Sequence, residues 1–352
     1  MDYREATIRA ICTELAAGSA VVLVSIVDSD GSAPRHNGAS MVVGTKGLLY
    51  GTVGGGMMEA GALAQCKLIL KEKRPRFMDV DLEGENASAK GPICGGTVKL
   101  LLDCLEPAEE DVAFFKAYQD LVSKGKDFYF VTVLGPEEAG IRVGGRALLS
   151  HDGTVIAGYG WREEDLQAIK AELHNVSSAA VLPLGKDTVV VDSIRKTKTL
   201  YCFGAGHVAV PTVRVAALAG FQVTVIDDRA DYASAERFPE ATGVVVIKDF
   251  ARAIEGLSID ADSFIVIVTR GHSHDHVVLE QALRTTAGYI GMIGSRRKRD
   301  AIYAALSEQG VSSEQIKRVH CPIGLPISAE TPEEIAVSIV AELVAERAKQ
   351  QA

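Results

Sequence analysis

The stretch Thr199-Leu200-Tyr201-Cys202-Phe203-Gly204-Ala205-Gly206-His207-Val208-Ala209 decides the fold. Five residues of strand character run into two glycines one residue apart, and a helical pattern follows to about residue 219. A second apolar run ends at Ile226-Asp227, so an acid stands 21 residues beyond Gly206. Glycines here permit a tight turn and let an anion approach free N–H groups at a helix start, where the helix dipole favours negative charge. Gly204, Gly206 and His207 are candidate ligand contacts, and Asp227 is a candidate acceptor for a ribose diol. That acid favours a non-phosphorylated ribose, although Arg229 leaves a 2′-phosphate open. A scaffold turn that binds nothing is the competing reading.

Outward from this turn the rhythm is regular. Apolar runs at 222–226, 243–247, 263–268 and 288–292 alternate with helical stretches near 207–219, 249–256 and 274–286. Short, almost wholly apolar strands alternating with helices are what a parallel sheet covered on both faces requires. Thr269-Arg270-Gly271-His272-Ser273-His274-Asp275-His276 follows one such strand, at the carboxyl edge where ligands bind in this architecture. Arg270 and His272 are candidate contacts. The three histidines could also suggest a metal, or cap the helix in solvent. Gly291 to Arg299 repeats the glycine, capping serine and basic helix start at the next strand end, either as a solvated face or as a phosphate receiver. Thr331 and Pro332 predict the N-cap and first residue of a helix reaching about residue 347.

Before residue 196 the pattern is different. A helix at about 3–17, strands at 21–27, 40–43, 48–51, 76–82, 97–104, 128–134 and 145–150, and helices at about 57–72 and 108–124 follow without a repeating unit. The division falls into an N-terminal α+β domain, 1–195, and a C-terminal doubly wound parallel-sheet domain, 196–352. Three loops of the first part join glycine to a reactive or charged side chain: Gly31–Arg35, Gly54-Gly55-Gly56-Met57-Met58-Glu59 and Cys94-Gly95-Gly96. Backbone N–H groups after Gly56 could receive an anion that Arg35 clamps, and Cys94 offers a thiol for chemistry or for a soft, sulfur-rich ligand. Taken singly, each reads more safely as turn chemistry.

Asp plus Glu (46) exceed Lys plus Arg (37), a balance that argues against general nucleic-acid binding. The longest uncharged stretch, 199–213, is too short and too broken by glycine and proline to span a bilayer. With no secretory signal visible, the reading places the chain in the cytoplasm. Six cysteines at 12, 66, 94, 104, 202 and 321 form no C-x-x-C pair, so disulfides and structural zinc are not expected.

Taken together, these motifs resemble the xanthine dehydrogenase accessory factors, the XdhC/CoxI family. The resemblance rests on Gly31–Arg35, Thr52–Glu59, Cys94-Gly95-Gly96, Gly204-Ala205-Gly206-His207, Thr269-Arg270-Gly271-His272, Gly291–Ser295 and His320–Leu325 with Thr331–Ala336, ordered along nearly the whole chain. Pro326 departs from the family, which tends to carry aspartate after Gly-Leu, and puts any polar contact of that loop in doubt. The resemblance implies a Rossmann-like C-terminal domain and a chaperone that binds molybdenum cofactor (molybdopterin), shields it, and delivers it to xanthine dehydrogenase or a related molybdenum hydroxylase. It also implies exchange with a cysteine desulfurase-type sulfur donor in some members. Under it, Arg35, Gly54, Gly55, Gly56, Glu59, Cys94, Gly95 and Gly96 would hold cargo, with Cys94 near the molybdenum. Gly204, Gly206, His207, Asp227, Arg270 and His272 would hold a nucleotide end or NAD(P). No resident metal and no catalytic residue are expected, and a homodimer is. The rival reading is an NAD(P)-dependent oxidoreductase.

Overall fold

The computed structural model describes residues 3–31, 38–81, 96–137, 140–176 and 178–350. Two units emerge, Met1–Lys196 and Thr197–Ala352.

The first unit runs α1 (Tyr3–Ala16), β1 (Val21–Gly31), β2 (Ser40–Gly44), β3 (Gly47–Gly51), α2 (Gly56–Glu72), β4 (Arg76–Asp81), β5 (Gly96–Leu105) and α3 (Glu109–Ser123). It continues with β6 (Phe128–Glu137), β7 (Gly140–Leu149), β8 (Val155–Tyr159), α4 (Glu163–Glu172), β9 (Ala179–Leu184) and β10 (Asp187–Ile194). Two five-stranded antiparallel sheets result, ordered β3-β2-β1-β5-β4 and β8-β7-β6-β10-β9. Strand alternation sorts their side chains. Val22, Val24, Ile26, Leu100 and Leu102 pack with Met58, Ala62, Cys66 and Ile69 of α2. On the second sheet, Tyr129, Val131, Val133, Val189 and Val191 pack with Leu166 and Ile169 of α4. The opposite faces share a core in which Val27, Leu101, Leu134 and Val190 meet, while Val21, Leu23, Phe128 and Phe130 pack with α1 and α3. Period-2 burial on both faces is what two sheets stacked between helices demand. Sequence periodicity had not revealed β8, β9 and β10; the half-buried alternation of β8 and β9 is weak, and β10 closes at the point where the rhythm changes.

The second unit contains β11 (Thr199–Phe203), α5 (Ala209–Leu218), β12 (Gln222–Asp227), β13 (Gly243–Val246), β14 (Ser263–Ile267), α6 (His272–Leu283) and β15 (Tyr289–Met292). It ends with α7 (Arg296–Glu308), α8 (Ser313–Lys317), β16 (Val319–His320) and α9 (Pro332–Lys349). Its six strands are parallel, in the order β13-β12-β11-β14-β15-β16. Leu200, Cys202, Val223, Val225 and Val266 face α5 and α9, whereas Tyr201, Phe203, Ile265, Ile267 and Ile290 face α6 and α7. This is a doubly wound Rossmann sheet. Thr331 caps α9 as expected, accepting from the Glu334 N–H with Pro332 in the first turn. The helix expected at 249–256 is instead a short 3-10 turn, Phe250–Arg252, capped by Asp249 and halted by Gly256 at φ +76°. Gly256, in the left-handed region, closes the turns that follow.

Candidate functional site

In the first unit, antiparallel register fixes where the strands leading to the glycine loops end. Gly31 at the end of β1 pairs with Gly96 at the start of β5, and Asp81 at the end of β4 pairs with Thr97. Ser40, where β2 begins, lies opposite Ser25, and Gly51, where β3 ends, lies opposite Met41. The ends of β1, β4 and β5 therefore coincide, whereas β3 ends level with Val24, seven residues back along β1. Arg35, Cys94 and Gly95 lie outside the described residues.

Within the middle loop the chemistry is visible. Gly54, Gly55 and Gly56 have φ of +135°, +75° and +60°, a backbone that L side chains rarely adopt. Among the described residues, side chains added at Gly55 and Gly56 would meet nothing within 4 Å. Gly55 is the N-cap of α2 and supplies no capping side chain, so the first N–H groups of that helix have no side-chain acceptor at the cap. Glu59 accepts from the Thr52 hydroxyl, which in turn accepts from the Gly54 N–H at 3.1 Å. The Tyr3 hydroxyl donates to the Ser40 carbonyl and accepts from the Thr52 N–H at 3.1 Å, tying the turn to α1. Glu59 thus shapes the loop. Met57 is 75% exposed beside it.

Sequence reasoning missed the polar interior between the two sheets. Arg146, 1% exposed, forks to both oxygens of Asp103, and its Nε donates to Tyr159 at 3.0 Å and to Asp111 at 3.3 Å. Asp192 lines a cavity of about 30 Å³ with Arg4, Ser25 and Gly38, room for about two waters. Burial pushes its carboxyl up, with Arg4 opposing, and its Oδ1 has no hydrogen-bond partner among the described residues. Cys66, Cys104 and Cys202 are buried free thiols pushed up to about 12 by desolvation, which makes them poor nucleophiles.

In the second unit the carboxyl edge of the sheet is built around the switch point between β11 and β14. Gly204 stands at φ +109°, and a Cβ there would lie 2.4 Å from the Val268 carbonyl, so the close approach of two strand ends requires glycine. Gly206 and Gly271 are different: neither has positive φ, and a Cβ at either would meet nothing within 4 Å among the described residues. His207 and His272 are exposed beside them.

Asp227 is bonded by its own neighbours. It is 1% exposed; its Oδ1 accepts from Arg229 N at 3.0 Å and Nε at 2.8 Å, and its Oδ2 from Ala205 N at 2.8 Å and Arg229 Nη2 at 2.9 Å. All four acceptor positions are filled, leaving none for a ribose diol. Burial alone would raise this carboxyl, but Arg229 and the Ala205 N–H outweigh it and hold the group at about 2. Next to it, Arg270 forks onto Asp228 at 2.9 and 2.7 Å. The turn bearing Arg270 is pinned from below by Asp275, fully buried, which accepts from Thr269 N at 3.2 Å and Oγ1 at 2.6 Å and pairs with Lys298. In the sequence, Asp275 is hidden among histidines and Lys298 within a basic run. Among the described residues, no cluster of His, Cys, Asp and Glu could hold a metal ion, and no helix is long and apolar enough to cross a membrane.

A two-layered antiparallel unit with a glycine loop heading α2, followed by a Rossmann unit, defines the class. The model of the XdhC and CoxI family matches residues 14–81, that of the XdhC Rossmann domain matches 200–343, and the chain belongs to this family. Its fold is that of a crystal structure described as a xanthine dehydrogenase from Bacillus halodurans, with TM-score 0.79 and 24% identity over 98% of this chain and 96% of that one. The chain is 26% identical to a probable xanthine dehydrogenase subunit of Bacillus subtilis, over 93% of each. It is 23% identical to the molybdenum cofactor insertion chaperone PaoD of Escherichia coli K12, over 99% of this chain and 91% of that protein. It is 27% identical to YqeB of Escherichia coli K12 over 92% of this chain, and the match spans 42% of that protein's length.

Proposed function

We propose that this protein is an accessory factor that binds molybdenum cofactor, shelters it, and hands it to xanthine dehydrogenase or a related molybdenum hydroxylase. The observation that carries this reading is the glycine loop between β3 and α2. An anionic cargo suits it: three left-handed glycines head a helix without a capping side chain, and no described residue fills the space in front of Gly55 and Gly56. Arg35 would clamp the phosphate and Cys94 would sit by the molybdenum, where a sulfur donor of the cysteine desulfurase type would also act. The names carried by the Bacillus subtilis relative and by PaoD support the same role. In this reading the second unit receives the phosphate-bearing nucleotide part of a ligand between Gly206 and Gly271. The saturated Asp227 favours a carrier over an NAD-dependent oxidoreductase, because it leaves the diol of NAD unread.

The test is oxygen-free purification of the wild type and Cys94→Ala from cells that make the cofactor. Pterin fluorescence after oxidation should approach one per chain in the wild type and fall at least several-fold in the variant. Equal retention would remove Cys94 from the site, and NADH oxidation by a pterin-free wild type would overturn the carrier reading.

A further inference from the structure

The ion pair between Arg270 and Asp228 joins the turn after β14 to the turn after β12, yet β11 lies between those two strands. It therefore spans two strand spacings, roughly 9.6 Å, level with the point where Phe203 gives way to the Gly204–Gly206 turn. Phe203 is in register with Ile226 and Ile267, and the Gly204 N–H donates to the Ile226 carbonyl, which fixes that level.

We propose that this pair is an exchangeable occupant of the ligand crevice: a phosphate ester displaces the Asp228 carboxylate from Arg270, and the unit selects its ligand by phosphate and not by ribose diol. The inference rests on the reading that this unit takes a nucleotide-type ligand. Three features support exchange. A guanidinium fork accepts carboxylate and phosphate oxygens in the same bidentate geometry. The Arg270 side chain is 41% exposed, so an incoming anion can reach it, and its turn is held in place independently by Asp275 and Lys298. The released Asp228 keeps a cation nearby, Arg229 Nε at 3.8 Å. Gly206 and Gly271, on either side of the switch point, leave open space that neither backbone conformation nor packing of the described residues requires. Asp227, with four bonds received, cannot read the sugar.

The experiment titrates the full chain with ADP, 2′-deoxy-ADP and inorganic pyrophosphate by calorimetry at low salt, using wild type, Arg270→Gln and Asp228→Asn. Losing one charge-assisted fork weakens binding about tenfold or more, so Arg270→Gln should weaken ADP and pyrophosphate alike. Asp228→Asn, with its competing charge removed, should bind both more tightly than wild type, and wild type should bind ADP and 2′-deoxy-ADP within about twofold. Exchange is overturned if Asp228→Asn weakens ADP, if neither substitution moves pyrophosphate, or if the deoxy form binds about tenfold worse. Absence of heat with every ligand in every chain, at concentrations up to millimolar, overturns the nucleotide reading itself and the inference with it. Matching thermal unfolding of the three chains shows that each is folded.

Discussion

Arg146 and Arg270 form the same kind of contact, a guanidinium forked onto an aspartate, in opposite surroundings. Arg146 is 1% exposed between two sheets, with Tyr159 and Asp111 completing its shell. Arg270 is 41% exposed at the rim of a parallel sheet and forks onto Asp228 there. Burial makes the first pair obligatory, since losing a partner strands a charge without water. Exposure makes the second inexpensive to break, because an open ion pair stabilises by about 0–1 kcal/mol. Identical chemistry therefore serves architecture in one unit and is free for ligand exchange in the other. The glycines divide in the same way: Gly204 is required by the Val268 carbonyl, while Gly206 is required by nothing among the described residues.

Substitutions can break this contrast. The largest effect belongs to Arg146→Met, which leaves Asp103 buried and unpaired and should cost about 3–5 kcal/mol in urea unfolding; a loss below about 1 kcal/mol would mean that the buried pair is dispensable. Gly204→Ala comes next, about 1–3 kcal/mol from strain at positive φ together with its steric conflict at Val268. Gly206→Ala should shift stability by no more than about 1 kcal/mol while weakening phosphate-ester binding, and equal destabilisation by the two alanines would erase the distinction. Arg270→Gln should change stability by less than about 1 kcal/mol.

The last effect depends on pH. His320 Nδ1 donates to Glu342, whose other oxygen accepts from the Gly324 N–H. The bond to Glu342 raises His320 above 6.5; burial would raise Glu342, but His320 and the Gly324 N–H hold it below 4.5. The histidine's contribution is complete below 6.5 and disappears as pH rises through its folded value. The glutamate's is complete above 4.5 and disappears as pH falls through its own folded value. Destabilisation by His320→Gln should therefore peak between 4.5 and 6.5, at roughly 1 kcal/mol, and fade at alkaline pH. A difference that is flat across this range would separate His320 from Glu342.

What could be read in the sequence follows from how local each signal is. The Rossmann unit was legible because its strands are continuous apolar runs and its glycine turn and acid lie on adjacent strands. In the second sheet of the first unit only β6 and β7 were legible: β8 and β9 alternate weakly, and β10 pairs with β6 at long range. Asp103 and Arg146 stand 43 residues apart, and Asp228 and Arg270 stand 42 apart. No periodicity joins such pairs, so Arg270 was legible by its place at a strand end while its carboxylate partner was not. For the same reason spacing located Asp227 but not the bonds it receives from Arg229 and the Ala205 N–H.

The most direct measurement is molybdenum and oxidised pterin per chain, by metal analysis and fluorescence, on protein purified without oxygen, wild type beside Gly55→Ala. A carrier with its cargo at the glycine loop before α2 should hold near-stoichiometric molybdenum and pterin and lose most of both when a methyl group enters the open space there. Wild-type protein lacking both, from cells rich in the cofactor, would contradict the account.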